Sequence, residues 1–496
     1  MPNFFEEIYT NPPAGGPPIY KYFCDGEWLT SKSGKTVDIF SPVTDEIVGK
    51  IQSLNQAEID EAMEAAFWAQ QIWQKTPLEK RARILHLAAD WLKEHKEYLS
   101  NLLILEIGKN IAEAEDEIIR TADLIDYFAE AGRSLQGETL DSDSFPGYEK
   151  GKQAVISRVP VGVVLSISPF NYPVNLSASK IAPALITGNA VVLKPATYGS
   201  LSALHLVEVF RKAGLPPGIL NTVTGTGAEI GDYLVTHPRV SMISFTGSSL
   251  VGEKIARKAG MIPLLFECGG NNPAIVLPDA DLDLTAKEII KGAYSFSGQR
   301  CTAIKYVLAQ REVLDKLKPM LLDELEKLVK LGDPREKTTK MVGPLISKDA
   351  VEIVENRIIK AKVAGAEIVR GGRRRGLYYE PTILDGVKSY WEIVKIETFG
   401  PVVSLISVSN INEAVKIIND SLYGLQACIF TKDEGTAIKL AQRINVGTVQ
   451  INSKPQRGPD HFPFLGIKGS GVGVQGVKYT LEAMTRFKPV VLNKPE

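Results

Sequence analysis

The sequence has few cysteines, almost no net charge and no apolar run of membrane-spanning length, and each of these features excludes some classes of protein. Its 496 residues contain four cysteines, at positions 24, 268, 301 and 428. They form no close-spaced pairs, which argues against a disulfide framework and a zinc site and predicts a reducing compartment without a bound metal. The formal net charge of −1 gives no support for a nucleic-acid or anionic-membrane partner.

Signals for export and membrane insertion are also missing. The start, MPNFFEEIYT, carries acids early, where a signal peptide has a basic start and an apolar core. The long apolar stretch VISRVPVGVVLSISPF is interrupted by Arg158 and two prolines, and no run reaches membrane-spanning length. We therefore expect a cytoplasmic protein with no membrane partner.

The chain nevertheless carries the periodicity of an α/β protein. Residues 1–20, rich in proline and glycine, predict a loose arm. Between residues 57 and about 136, apolar residues recur three and four apart, which predicts helices. From NAVVLKPA to LVGEKIARKAG, β-branched runs alternate with helical segments, which predicts βαβαβ units and a parallel sheet. Ligands of such sheets bind beyond the carboxyl ends of the strands.

The alternation restarts between about residues 270 and 470 and predicts a second α/β domain. Its predicted strands are PAIVLPD, KYVLAQR, PVVSLISVS and QACIFTK. The tail, TRFKPVVLN, is a β-branched segment far from its own domain in sequence. It is a candidate edge strand for pairing with another subunit.

One cysteine stands in a context unlike that of a buried structural cysteine. In FSGQRCTA, Cys301 directly follows Arg300, and Gly298 lies just upstream. A reactive cysteine must be reachable, and a neighbouring cation stabilises its thiolate. No histidine is near in the sequence, so a Cys–His pair has no local support. An inert cysteine remains the alternative.

Two further residues are candidates for the same chemistry. Glu267 follows the apolar stretch LLF, and a carboxylate among apolar neighbours can act as a general base near neutral pH. The alternative is a solvent-facing or ion-paired glutamate at a strand end. Asn171 lies in ISPFNYP, where its amide can donate to a developing oxyanion. The alternative is an asparagine that forms a turn.

Three turns are candidates for a nucleotide site. TGTGAEIG contains Gly227 in a GxGxxxG spacing, one residue longer than the usual dinucleotide fingerprint. FTGSSLVG places Gly247 and Ser248 at a helix start, where free backbone N–H groups can hold a pyrophosphate. In LKPATYGS, Lys194 ends a strand, and Thr197 leaves room for a ribose 2′-phosphate. The alternatives are turn glycines, an ordinary helix cap and a solvated lysine.

Together these stretches resemble the aldehyde dehydrogenase family. SPFNYP, GNAVVLKPA, FTGS, FECGGNNPAIVLPDADLD, GQRC, ETFGPV and YGLQACIF occur in the family's order across nearly the whole chain. GAYSFSGQRCTAIK, QRGPDHFPFLG and GVQGVKYTLEAMT are similar to its non-phosphorylating glyceraldehyde-3-phosphate dehydrogenase branch in particular.

The resemblance implies a role for each reaction residue. Cys301 would attack an aldehyde as thiolate, and Asn171 with the Cys301 backbone amide would hold the oxyanion. Hydride transfer to a nicotinamide would leave a thioester, which water activated by Glu267 would hydrolyse. A covalent intermediate splits one difficult step into two easier ones.

The resemblance also implies the binding residues. Lys194 and Thr197 would meet the adenosine ribose and its 2′-phosphate, with Gly227 and Gly247 in the nucleotide loops, Ser248 at the pyrophosphate and Glu397 at the nicotinamide ribose. Thr197 stands where relatives that prefer NAD often carry glutamate, which favours NADP, with NAD also usable.

The resemblance implies a further set of residues for a substrate phosphate. They are Arg120, Tyr172, Arg300 and Arg457, because arginine forks suit phosphate oxygens. For Arg120 the alternative is a helical ion pair with Asp116, and for Arg457 it is a solvated side chain. Cys268 departs from the leucine usual after the base, and its role stays open.

The implied fold is an α/β fold like that of aldehyde dehydrogenases, with two Rossmann-like domains and a small β oligomerisation element. Residues 1–141 and 162–268 would form the cofactor-binding domain, residues 269–475 the catalytic domain, and residues 142–161 and 476–496 the bridging element. The implied assembly is a homotetramer, a dimer of dimers.

The implied activity is irreversible NADP-dependent oxidation of D-glyceraldehyde 3-phosphate to 3-phosphoglycerate without inorganic phosphate. One alternative is the same chemistry on another small aldehyde, such as glyceraldehyde or succinic semialdehyde. The other is a catalytically silent nucleotide-binding or structural protein, against which the set of Asn171, Glu267 and Cys301 argues.

Overall fold

The computed structural model describes residues 4–11, 15–147 and 151–493. Helices and strands alternate along most of this length. The helices are α1 (Gln56–Trp73), α2 (Leu78–Glu94), α3 (Lys96–Ile107), α4 (Ile111–Ala131), α5 (Asn175–Ile186), α6 (Ser200–Lys212), α7 (Gly227–Val235), α8 (Ser249–Lys258), α9 (Leu282–Tyr294), α10 (Arg311–Leu328), α11 (Lys348–Val363), α12 (Glu392–Lys395), α13 (Ile411–Asn419), α14 (Glu434–Ala441) and α15 (Val477–Ala483).

The strands belong to two large sheets and several small ones. They are β1 (Tyr9–Thr10), β2 (Ile19–Tyr20), β3 (Tyr22–Cys24), β4 (Glu27–Leu29), β5 (Thr36–Phe40), β6 (Ile47–Gln52), β7 (Glu138–Asp141), β8 (Lys152–Pro160), β9 (Val163–Ile167), β10 (Ala190–Lys194), β11 (Leu220–Thr222), β12 (Met242–Thr246), β13 (Leu264–Glu267), β14 (Asn272–Val276), β15 (Ile304–Ala309), β16 (Lys330–Leu331), β17 (Met341–Val342), β18 (Glu367–Arg370), β19 (Arg374–Arg375), β20 (Tyr378–Tyr379), β21 (Thr382–Asp385), β22 (Val402–Ser407), β23 (Gln426–Phe430), β24 (Thr448–Ile451), β25 (Gly471–Val472) and β26 (Thr485–Asn493).

The first large sheet has the strand order β11-β10-β9-β12-β13-β25. Its neighbouring strands are parallel except β13 and β25. One face packs on helices α2 to α6 and the other on α1, α7 and α8. β9, β10 and β12 are buried almost throughout, because helices cover both of their faces. The predicted parallel sheet with covering helices is confirmed.

The second large sheet has the strand order β18-β21-β22-β15-β14-β23-β24. Its pairs are parallel except β18 with β21. Helices α11, α13 and α14 pack on one face, and α9 and α10 pack on the other. The second α/β unit predicted between residues 270 and 470 is therefore confirmed, and with it the α/β fold class.

A three-stranded antiparallel sheet joins distant parts of the chain. β26 pairs with β8 over nine positions, from Thr485 opposite Pro160 to Asn493 opposite Lys152, and β7 pairs with the other side of β8. The tail therefore forms an edge strand, and its residues from Arg486 onward are exposed. Its pairing with another subunit stays a prediction. The domain boundaries also stay a prediction. Two strands pair outside the domain predicted for them: β7 pairs with β8 of the bridging element, and β25 pairs with β13 of the first large sheet.

The loose arm predicted for residues 1–20 is wrong for the part of it that the structure describes. Phe5 and Ile8 are fully buried, and β1 pairs with β2. The Phe5 ring stacks on Tyr98 at 5.0 Å and lies 4.7 Å from the His205 ring. Burial of two large apolar side chains outweighs the proline- and glycine-rich composition. Residues 1–3 and 12–14 of the predicted arm lie outside the described residues.

No helix within the described residues is long and apolar enough to cross a membrane.

Candidate active site

A cavity of about 520 Å³ opens between the two large sheets. One wall consists of residues that follow the carboxyl ends of β9, β12 and β13. The other wall includes the loops that lead into β15 and β22, together with α11. The first sheet therefore presents its carboxyl ends to the cavity, as predicted for a ligand site. The cavity brings together Asn171, Gly247, Ser248, Cys301 and Glu397 of the predicted site residues.

The turn before Cys301 has a strained backbone. Phe296, Ser297 and Gly298 have φ angles of 47°, 54° and 67°, in the left-handed region that non-glycine residues rarely adopt. A Cβ atom at Gly298 would overlap the carbonyl oxygen of Gly400, so only glycine fits there. The structure thus explains the glycine upstream of the cysteine by a close approach of two backbones.

Side chains from distant elements hold this turn. The carboxylate of Glu113 accepts the backbone N–H of Phe296 at 2.8 Å, and Ser297 Oγ donates to Gly343 O at 3.0 Å. Lys305 Nζ donates to the carbonyls of Gly298 at 2.8 Å and Gly400 at 3.3 Å. Sequence reasoning missed Glu113, which lies in no quoted motif, and Lys305, which ends the motif GAYSFSGQRCTAIK but was given no role.

Cys301 faces the carboxylate of Glu267. The thiol Sγ donates to Glu267 Oε1 at 3.4 Å. Burial raises the pKa of the Cys301 thiol well above its usual range, and the Glu267 and Glu397 carboxylates raise it further. The Arg300 side chain bonds instead to Ser295 Oγ and, at 3.1 Å, to Thr302 Oγ1. The raised pKa favours the thiol form of Cys301, and the Glu267 carboxylate lies within reach of the thiol proton.

The second oxygen of Glu267 is paired with an arginine. Arg457 Nη1 lies 2.5 Å from Glu267 Oε2, and the two side chains are 15% and 2% exposed. Of the alternatives weighed for Glu267, the ion-paired glutamate is correct and the solvent-facing one is wrong. The alternative of a solvated Arg457 is wrong as well.

Asn171 connects the two walls of the cavity. It follows β9, and its Nδ2 donates to the backbone carbonyl of Gln299 at 3.0 Å. The side chain is buried and lines the cavity beside Cys301. An amide N–H directed at this loop is placed to donate to an oxygen that develops charge next to Cys301.

The predicted phosphate residues form two groups. Arg120 Nη2 donates to the Arg457 carbonyl at 3.3 Å and lies 3.5 Å from Asp460 Oδ2. Arg120 also lies 3.7 Å from Asp116, so the alternative helical pair exists as well. Arg457 Nε lies 3.4 Å from Asp460 Oδ1. Asp460 therefore joins Arg120 to Arg457.

The second group surrounds Tyr172. Its ring lies 6.3 Å from that of Phe296, on the loop that carries Arg300. Lys109 Nζ lies 3.5 Å from the Tyr172 ring centroid and forms a fully buried ion pair with Glu117. Burial raises the pKa of Tyr172 to about 12, so its hydroxyl remains a hydrogen-bond donor at neutral pH. Sequence reasoning missed Lys109 and Glu117, because Lys109 precedes the start of α4 and the pair has neither the i,i+3 nor the i,i+4 spacing of a helical ion pair.

The cofactor candidates lie around the same cavity and beyond it. Ser248 Oγ caps α8 by accepting the Val251 N–H at 3.4 Å. Glu397 accepts the Gly270 N–H at 3.1 Å, and burial raises the pKa of its carboxyl. Gln299 Nε2, in the cavity wall, has no hydrogen-bond partner among the described residues. A capped helix start, a half-buried carboxylate and an orphaned donor fit a dinucleotide with phosphate and ribose groups.

Lys194, Thr197 and Gly227 do not line this cavity. Lys194 is the last residue of β10, Thr197 follows β10, and Gly227 follows β11. These are the next two strands outward from β9 in the same sheet. Lys194 Nζ donates to the Pro195 carbonyl at 3.2 Å, and burial lowers the pKa of Lys194 to about 8. The alternative of a solvated lysine is therefore wrong, while Gly227 begins α7 next to its cap, Thr226.

Cys268 lies in the cavity wall directly after the base. Its side chain is buried, and burial raises the pKa of the thiol to about 12. A Cβ atom at Gly252 of α8 would lie 2.7 Å from Cys268 Sγ. Cys268 thus packs as a small apolar side chain beneath α8.

This arrangement of fold and site is that of the aldehyde dehydrogenase family, whose model matches residues 28–490. The chain belongs to this family. It is 47% identical over 479 residues to the NADP-dependent glyceraldehyde-3-phosphate dehydrogenase of Triticum aestivum, with 96% of each chain covered. It is 47% identical over 474 residues to the enzyme of that name from Streptococcus equinus, with 96% of this chain and 98% of the relative covered.

Solved structures give the same result. The crystal structure of NADP-dependent glyceraldehyde-3-phosphate dehydrogenase from Bacillus halodurans C-125, complexed with NADP, superposes with a TM-score of 0.94. The two chains are 47% identical, and the match covers 96% of this chain and 99% of that one. The resemblance seen in the sequence is confirmed.

Proposed function

We propose that this protein oxidises D-glyceraldehyde 3-phosphate to 3-phosphoglycerate with NADP, irreversibly and without inorganic phosphate. The relatives that carry this activity in their names match almost the whole chain. The observation that carries the proposal is the contact of 3.4 Å between Glu267 Oε1 and the Sγ of Cys301, which lines the cavity. A thiol, its base and two nearby arginines are what a phosphorylated aldehyde requires.

In the first half-reaction Cys301 forms a bond to the aldehyde carbon. Glu267 Oε1 takes the thiol proton as this bond forms. Asn171 Nδ2 and the Cys301 N–H donate to the oxyanion of the resulting thiohemiacetal. NADP, when bound, accepts the hydride, and a thioester on Cys301 remains.

In the second half-reaction Glu267 acts on water. Once its first proton has passed to solvent, the carboxylate takes a proton from a water molecule, whose oxygen bonds to the thioester carbon. The C–S bond then breaks, the acid leaves, and the Cys301 sulfur is protonated again. Because water completes the reaction, no phosphoryl group is consumed.

The binding roles follow the positions of the side chains. Arg120, Tyr172, Arg300 and Arg457 would hold the substrate's phosphate, and converging arginine forks would select it over a bare aldehyde. Ser248 and Gly247 at the start of α8 would meet the NADP pyrophosphate, and Glu397 the nicotinamide ribose. Lys194, Thr197 and Gly227, one strand outward, would meet the adenosine ribose and its 2′-phosphate. Thr197 brings no carboxylate there to repel the 2′-phosphate, which favours NADP, with NAD also usable.

We further propose a homotetramer in the cytoplasm, with the domain limits stated above. The exposed, β-branched β26 offers Val490, Val491 and Leu492 at a sheet edge, which suits pairing with another subunit. Four free cysteines suit a reducing compartment.

The test is NADPH formation from D-glyceraldehyde 3-phosphate in buffer free of inorganic phosphate, followed by absorbance. We expect turnover that falls by at least about 10³-fold in Cys301→Ser. Oxidation of glyceraldehyde or succinic semialdehyde, with no turnover of the phosphorylated aldehyde, would keep the mechanism and reject the substrate. Silence on every aldehyde would support a non-catalytic protein.

A further inference from the structure

The guanidinium of Arg457 already has a partner on each of its nitrogen atoms. Nη1 bonds to Glu267 at 2.5 Å, Nη2 donates to Gln475 Oε1 at 2.8 Å, and Nε lies 3.4 Å from Asp460. These contacts engage three of the five N–H groups of Arg457, so a phosphate that approaches the guanidinium has to share it with these groups or displace one of them. The displaced group decides what phosphate binding does to the reaction.

Of these three partners, Glu267 is the one that also contacts Cys301. Its carboxylate contacts Cys301 through one oxygen and Arg457 through the other, so it fills the interval between them. A substrate joined to Cys301 at its carbonyl, with its phosphate on Arg457, spans the same interval. Asp460 is also held in place by Arg120 at 3.5 Å. The other oxygen of Glu267 contacts the Cys301 thiol, and this contact is lost when the thiol is acylated.

The charges favour this exchange. A phosphate dianion attracts a guanidinium more strongly than a carboxylate does, and it repels a carboxylate on the same cation. Lys180 Nζ, buried and donating to Thr246 Oγ1 at 2.7 Å, lies close enough to Glu267 to interact with it electrostatically. Burial lowers the pKa of Lys180 to about 7, and the Glu267 carboxylate favours its charged form. A protonated Lys180 limits the penalty of releasing the buried Glu267 charge.

We propose that Arg457 holds Glu267 in an ion pair, and that the phosphate of the bound substrate takes Arg457 and frees Glu267 to hydrolyse the thioester. This inference rests on the proposed function. Two events then precede hydrolysis: acylation removes the thiol from one carboxylate oxygen, and phosphate removes the arginine from the other. A carboxylate released from its cation is the stronger base. Phosphate recognition therefore raises the rate of hydrolysis as well as the affinity for substrate.

The test measures thioester hydrolysis without hydride transfer, and it supplies the phosphate-like group on a separate molecule from the acyl group. p-Nitrophenyl acetate acylates a reactive thiol without hydride transfer, and inorganic phosphite serves as the detached oxyanion. With the NADP-saturated enzyme we expect a burst of about one nitrophenolate per Cys301, followed by slow release. Phosphite should raise the slow rate at least tenfold and leave the burst amplitude unchanged.

Two arginine variants show which contact is responsible. In Arg457→Gln the ion pair is absent, so the slow rate without phosphite should exceed that of the wild type several-fold and no longer respond to phosphite. Arg120→Gln is the matched control, because Arg120 has no contact with Glu267 among its bonds. This variant should need about tenfold more phosphite for half of the effect and reach the same maximum.

The outcomes distinguish this inference from the proposed function. If phosphite competes with glyceraldehyde 3-phosphate but does not accelerate thioester hydrolysis in the wild type, the inference is overturned and the phosphate site stands. Slower hydrolysis in Arg457→Gln without phosphite also overturns the inference. If neither phosphite nor inorganic phosphate competes with the substrate, the phosphate site and the inference both fall. The wild-type measurement decides even if Arg457→Gln fails to fold.

Discussion

The side-chain amide of Asn171 donates to the backbone carbonyl of Gln299 over 3.0 Å and so joins the end of β9 to the loop of the nucleophile. Asn171→Ala removes this donor, and with it the proposed partner of the oxyanion. We expect kcat to fall about 10²- to 10³-fold, with KM changed little, because the oxyanion exists only after attack. Steady-state kinetics with glyceraldehyde 3-phosphate checks this.

Asn175→Ala is the control for that variant. Asn175 lies four residues further on and is also buried. Its Nδ2 donates to Thr121 Oγ1 over 3.2 Å, and Asn175 does not line the cavity. We expect a small loss of stability and a kcat within about threefold of the wild type. Similar kcat values for the two variants would contradict the oxyanion role.

The thiol of Cys301 should react slowly in the cofactor-free enzyme at neutral pH. Burial and two carboxylates raise its pKa, and the thiolate fraction grows with pH until the pKa is passed. We therefore expect the rate of alkylation by iodoacetamide at Cys301, followed by mass spectrometry, to be still rising at pH 9.

Glu267→Gln tests the electrostatic part of that effect. The substitution removes one negative charge beside the sulfur, which lowers the pKa of the thiol. At pH 8 we expect alkylation about tenfold faster than in the wild type, although the variant hydrolyses the thioester poorly. A wild-type alkylation rate that is constant above pH 7 would refute the raised pKa.

Lys194 should make NADP use sensitive to alkaline pH. Burial lowers its pKa to about 8, so the side chain is charged below pH 8 and neutral above it. A neutral lysine attracts the 2′-phosphate less, and kcat/KM for NADP should fall above about pH 8. NAD, which lacks that phosphate, is the internal control and should show no such fall. The ratio of the two kcat/KM values should lose its pH dependence in Lys194→Met.

Gly298→Ala should damage the active site through backbone overlap. Gly298 has a φ of 67°, and a Cβ there would overlap Gly400 O. Gly386, with a φ of 71° and nothing within 4 Å of an added Cβ, is the matched control. Both alanine variants carry the left-handed strain of about 1–2 kcal/mol, but only Gly298→Ala also displaces the nucleophile loop. We expect a lower Tm in both variants and a kcat reduced at least tenfold only in Gly298→Ala; equal kcat values would refute the overlap.

The parallel sheets could be predicted from the sequence because buried strands and amphipathic helices leave different periodicities. Runs such as AVVLK and MISFT contain mostly apolar residues, and the structure buries all five of their residues. The arm at residues 1–20 could not be predicted correctly, because its proline and glycine content indicates a loose segment and does not show that Phe5 is buried. That ring is buried by Tyr98 and His205, from α3 and α6, and no local pattern indicates such a contact.

The site residues also differ in whether the sequence could predict them. Cys301, Glu267 and Asn171 stand in recognisable short motifs. The structure places Glu267 against Cys301, and Asn171 and Cys301 both line the cavity. Glu113 and Lys305 act on backbone groups at the nucleophile turn, and any helix or strand residue can do so. Their positions depend on how distant elements pack, which a single sequence does not show.

Lys305 has a consequence for exchanging parts between relatives. Its ammonium group holds the carbonyls of Gly298 and Gly400 together, and Gly298 is glycine because Gly400 O lies so close. Residues 296–305 and residues 397–400 therefore form one structural unit, although almost a hundred positions separate Lys305 from Gly400. In a chimera with another family member, both stretches have to come from the same parent.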